Sequence, residues 1–285
     1  MTIKPGEIVS LAGDVGRYKA DLGVPNFLVR GFMGGMFIAM GATLAMVCST
    51  GLETPLGPGF KAMIAGAVFP VGLVMIVITG MSLFTGDTML IPVAVFQGKT
   101  TWQKVGWAWL WVYAGNFAGS LFWAYLMIWG LFHKPGTADL NAFGQSAVTI
   151  AQLKTLSYAT ARGAGLRAAF AKGIACNILV NLAILLGISA EHPSGKILGI
   201  WFPIMSFVAC GFEHSVANMY FVPVGMMLGA GVTWSQFLKW NLLPVTLGNI
   251  VGGLVFVGAA YCFCFRRELS PSTSSRLELV ERKAA

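Results

Sequence analysis

Charged side chains are what this sequence has least of. Asp, Glu, Lys and Arg make up 11% of its 285 residues, against about 25% in an ordinary soluble domain. Hydrophobic residues reach 56% and the mean hydropathy is +0.73. That balance excludes a water-soluble globular chain and implies one that lies in a lipid bilayer. Cysteine is sparse too. The five are scattered, and Cys262 and Cys264 have no His or second Cys pair near them, so neither a metal centre nor another cofactor is expected. The opening stretch, Met1 to Asp21, has mixed charge and no apolar core, so it is not read as a signal peptide. A formal charge of +8 could indicate nucleic acid in a soluble protein. Here the basic residues fall mostly in tails and loops, where they orient a membrane protein, and no nucleic-acid partner is expected.

Apolar segments long enough for a bilayer run over about 27–50, 62–97, 105–132, 168–190, 197–228 and 240–265. They predict an all-α membrane protein with six transmembrane helices. The 36 glycines suit helices that pack closely through small residues. The second and fifth segments are too long for one uninterrupted helix, and each contains a polar, glycine-bearing interruption, Gly80–Thr88 and Gly211–Asn218. Each is followed by a span carrying Gly-Asn, at Gly115-Asn116 and Gly248-Asn249. Three spans per half make the halves inverted repeats, with the second and fifth helices broken. Paired interruptions at corresponding places are a sequence pointer to a transport site near the bilayer midplane. With both termini cytoplasmic, twelve Lys and Arg residues fall inside and six outside, the arrangement that the positive-inside rule favours. Residues 1–265 read as one transmembrane domain, and 266–285, rich in Ser and charge, as a disordered cytoplasmic tail.

The second interruption holds Glu213 and His214 in the middle of a span. An ionisable residue there costs about 2.5–3.5 kcal/mol or more, so such residues usually face a pathway. His214 reads either as a proton relay or as a neutral ring that braces the broken helix; Thr85, Asn177 and Asn218 could converge on it. Glu213, adjacent and so turned about 100° away, reads as an acceptor that fixes the break, with a general-base role the alternative. Lys172 reads as snorkelling to the interface or, with Arg30, as a vestibule cation. Asn177 and Asn181 share a helix face.

Taken in order, Leu83-Phe84-Thr85-Gly86-Asp87-Thr88, Gly115-Asn116, Lys172-Gly173, Cys176-Asn177-Ile178-Leu179-Val180, Gly211 through Met219, and Asn241 through Asn249 resemble the formate/nitrite transporter family over about residues 10–265. The resemblance implies an aquaporin-like fold in a homopentamer in the cell membrane, each subunit passing small monovalent anions such as formate, nitrite or hydrosulfide. It makes His214 the central pore histidine, with Thr85, Glu213, Asn177 and Asn218 around it. Phe69, Leu73 and Phe207 take the constriction positions, and Arg30 a vestibule position. Two departures stand out: Ala161-Arg162-Gly163 replaces a basic run before the fourth span, and Asn181 replaces a cysteine. Formate is the first choice of substrate, by resemblance. A neutral-solute channel for water or glycerol would carry two Asn-Pro-Ala signatures, which are absent. A membrane enzyme using Glu213 and His214 as acid and base would need a nucleophile or metal set that does not accompany them.

Overall fold

Two helices stop inside the apolar interior, and both stop at a glycine. In the computed structural model, which describes residues 3–269, α1 (Pro5–Ala20) and α2 (Val24–Ser49) are followed by α3 (Glu53–Val68) and α4 (Val71–Thr79). Gly80 then adopts the left-handed conformation, φ +75°, that ends a helix cheaply only for glycine. The chain restarts as α5 (Phe84–Phe96) and continues through α6 (Trp102–Gly130), α7 (Ala142–Thr160) and α8 (Arg162–Ile188). The second stop repeats the first: α9 (Pro193–Ala209), Gly211 at φ +65°, then α10 (Ser215–Met227). A final rod, α11 (Trp234–Cys264), contains two π-helical stretches, Leu238–Leu242 and Gly252–Ala259. From residue 270 onward, the expected tail lies outside the described residues.

By length and hydropathy, four helices qualify as membrane spans, Val24–Ser49, Glu53–Thr79, Arg162–Ile188 and Trp234–Cys264; Phe84–Phe96 and Pro193–Ala209 are apolar but shorter. This is an all-α, multi-pass membrane architecture. At 29 residues, α6 extends about 43 Å, and exposed Trp102 and Trp129 mark its two ends, the placement that interfacial indoles favour. The stretch 133–165, between the third and fourth apolar segments of the sequence, is mostly helix. Asn141 starts α7 by accepting the N–H groups of Phe143 and Gly144, and a bridge between His133 and Leu140 closes the turn before it.

The two breaks are bonded alike. A freed N–H in hydrocarbon costs several kcal/mol, and each restart meets that cost with an asparagine from another helix. Phe84 N–H donates to Asn116 Oδ1 and Ser215 N–H to Asn249 Oδ1, both at 2.9 Å. The amide of Asn116 reaches back to Gly31 O and Ser82 O, and that of Asn249 to Gly173 O and Glu213 O. Ser82 N–H donates to Arg30 O, and Glu213 N–H to Lys172 O. In α5 and α10 alike, proline is the ninth of 13 residues. Close packing supports the arrangement: Gly31 lies against Gly115, and Gly173 against Gly248, so backbones approach as small residues allow.

Candidate functional site

Between the two breaks the interior narrows to a stretch lined by Ile38, Phe69, Leu73, Leu83, Val180, Ile204, Phe207 and His214, with no room for a water molecule. Seven of the eight are hydrocarbon-faced; His214 is the exception. A cavity of about 500 Å³ opens on one side, sharing Leu73 and Leu83 with the narrow stretch and including Lys19, Arg30, Asp87 and Lys196 in its walls. On the other side lies a cavity of about 200 Å³, which shares Phe69, Phe207 and His214 and adds Lys154 and Asn218. The rings form a stack: Phe207 lies over the imidazole of His214 at 5.8 Å, and Phe69 meets Phe207 edge-on at 5.6 Å.

His214 is the N-cap of α10, and its Nδ1 accepts the N–H of Ala217 at 3.0 Å. A nitrogen that accepts a backbone N–H carries no proton, so in the neutral ring the proton sits on Nε2. Nε2 lies 2.9 Å from Thr85 Oγ1 and therefore donates to it, which leaves the hydroxyl proton of Thr85 available to another acceptor. Thr85 sits in the first turn of α5, so this contact joins the two breaks.

Glu213 turns away from the histidine. Its carboxylate accepts from Lys154 Nζ at 2.8 Å, Tyr158 O–H at 2.8 Å and Asn218 Nδ2 at 2.7 Å, with Asn241 Nδ2 at 3.5 Å. With three donors within 2.8 Å and only 3% of the residue exposed, it braces the second break. At the first break the corresponding ion pair is Lys19 Nζ–Asp87 Oδ1, 2.7 Å, which fastens α1 to α5.

The predicted residues divide into groups. Thr85 and His214 meet directly. Asn177 donates to Thr85 O, Thr88 Oγ1 and Asn249 O, behind Thr85. Asn218 belongs with Glu213 and also donates to Asn241 Oδ1. Arg30 lines the larger cavity, where its guanidinium donates to Tyr18 O–H and Gly80 O. Lys172 lines neither cavity; its ammonium lies 5.9 Å from the ring centre of Tyr158. Sequence reading passed over Lys19, Asp87, Lys154, Tyr158 and Asn241. Asp87 carried a usable signal, an acid inside an apolar segment. Lys19 and Lys154 had been counted as orienting charges only.

The family model for formate/nitrite transporters matches residues 6–263. The chain belongs to the formate/nitrite transporter family. It is 43% identical over 260 residues to a probable formate transporter of Methanothermobacter thermautotrophicus, covering 88% of this chain and 92% of that one. It is 35% identical over 271 residues to the formate channel BtFdhC of Bacillus thuringiensis, with 94% and 97% covered. Among solved structures, a pentameric formate channel with formate bound superposes with a TM-score of 0.72 at 31% identity, covering 85% of this chain and 97% of that one. As a member of this family, the protein is a channel or transporter for small anions and not an enzyme.

Proposed function

We propose that this transporter passes formate across the cell membrane, with nitrite and hydrosulfide as the competing substrates, and that the Thr85–His214 pair is the one polar foothold in an otherwise apolar passage. The observation that carries this reading is the narrow stretch itself, seven apolar residues and one imidazole between two cavities that each hold a cation. A bare carboxylate pays heavily to enter such a place, whereas its neutral acid does not. A carboxylic acid with a pKa of about 4 in water is pushed towards neutrality by desolvation. Lys19, Arg30 and Lys196 gather the anion on one side, while Lys154 on the other is paired with Glu213. The anion takes up a proton from the aqueous solution in the cavity as its own hydration is lost, and the hydroxyl of Thr85, oriented by His214 Nε2–H, holds its oxygen in transit.

The reading includes six spans arranged as two inverted repeats, an aquaporin-like subunit spanning residues 1–265, both termini in the cytoplasm and a homopentamer in which each subunit has its own path. The matched hydrogen bonds at the two breaks support the repeat, and the likeness to a pentameric channel supports the assembly.

Purified protein in liposomes should carry formate faster as the pH falls from 7 to 5. His214→Asn, which retains an amide near Thr85 but no titratable ring, should change that profile. An unchanged profile would remove His214 from the pH dependence, and faster nitrite or hydrosulfide flux would reassign the substrate.

A further inference from the structure

The two breaks share one frame, so the places where their chemistry differs are informative. With Gly31 matched to Gly173, and α5 matched to α10 by their prolines, Asn177 corresponds to Gly35, Asn181 to Ala39, Thr85 to Val216 and Thr88 to Met219. All four members of the second set are buried and apolar. The frame therefore closes without polar groups at these positions, and the polar set is not a requirement of the fold.

Thr85, Thr88, Asn177 and Asn181 are nonetheless all fully buried. The carbonyl of Thr85 accepts from Thr88 Oγ1 at 2.6 Å, Asn177 Nδ2 at 3.1 Å and Asn181 Nδ2 at 3.2 Å. Asn181 Nδ2 also reaches Asn177 O at 2.8 Å. Because carbonyls can only accept, both amides must turn their nitrogens this way. That orientation leaves Asn177 Oδ1 and Asn181 Oδ1 buried with no donor, a costly state for a polar atom unless something donates to it. Gly253, in the second π-helical stretch, adds backbone where a Cβ would strike Thr88 Oγ1 and both amide nitrogens.

We infer that water binds between α5, α8 and α11, donating to Asn177 Oδ1 and Asn181 Oδ1, and that Asn181 is a positioning residue holding Thr85 against His214. A formate ion has only acceptors and formic acid a single donor, whereas water has two, one for each oxygen, and each amide gains a second anchor. Thr85 is then held from behind through its carbonyl, while its hydroxyl faces the histidine.

A high-resolution cryo-EM map of the wild-type protein in nanodiscs tests the site. Expected is a density peak about 2.7–3.2 Å from each amide oxygen. A map that resolves other buried waters and leaves both oxygens bare, or bonded to protein N–H groups, overturns it. The positioning role rests on the proposed function and has its own test. Asn181→Leu should lower maximal formate flux by about fivefold or more, shift its pH profile and leave half-saturation nearly unchanged. Asn181→Ser, whose hydroxyl can donate to Thr85 O, should restore part of the flux. A folded Leu variant with wild-type flux and pH profile overturns the role. Absence of formate flux in the wild type would instead count against the proposed function, and the density still decides the water site.

Discussion

At the scale of single residues, Glu213 and His214 stand side by side in sequence and work in different surroundings. Successive helical positions diverge, and here the backbone at the break diverges further: the carboxylate enters a cage of donors and the imidazole enters the passage. The ion pair within that cage has a measurable consequence. Glu213 is buried, so Lys154→Met strands a carboxylate with only Tyr158 and asparagine amides as donors, and removing one partner of such a pair costs about 3–5 kcal/mol. Thermal unfolding in detergent should show a marked fall in Tm for Lys154→Met and recovery of more than half of it in Lys154→Met/Glu213→Gln. A double variant as unstable as the single one would mean that the lysine matters for more than its charge partner. Sequence alone could single out His214 because an imidazole in a span is unusual. It could not find Lys154, Tyr158 or Asn241, because nothing local reports that α7 and α11 come together over this carboxylate, Lys154 from 59 positions away.

At the scale of elements, the breaks were legible because glycine and polar residues interrupt otherwise continuous apolar runs. Their bonding was legible only in part. The sequence marks Gly115-Asn116 and Gly248-Asn249 as following each break but not what the asparagines bind, which is the N–H groups of Phe84 and Ser215. The amide serves the exposed start of a helix, and a neighbouring polar side chain gives no indication of which N–H that is. Helix contact follows the same logic of backbone approach. A Cβ at Gly119 would land on the carbonyl of Phe32, while one at Gly106, on the same helix, meets nothing within 4 Å. Gly119→Val should therefore destabilise by about 1–3 kcal/mol through overpacking, and Gly106→Val should leave Tm nearly unchanged. Equal effects would indicate that helix propensity, and not the α2–α6 contact, dominates.

At the scale of the whole molecule, the two cavities differ in size and in charge. The larger holds Lys19, Arg30 and Lys196 against one acid, Asp87, whereas the lysine of the smaller is neutralised by Glu213. Fields from uncompensated charges raise the local anion concentration and are screened by salt within about 8 Å at physiological ionic strength. Formate uptake at low substrate should fall more steeply with added salt when the larger cavity faces the supply, as measured in vesicles of the two orientations. Equal sensitivity would place the attraction elsewhere. Composition gave no hint of this asymmetry, because it arises from which acids reach which lysines after folding.

The dryness of the narrow stretch has a consequence for the cell. With no room for a file of liquid through the lining, hydronium has nothing to hop along there, so proteoliposomes without formate should hold a membrane voltage as well as protein-free ones.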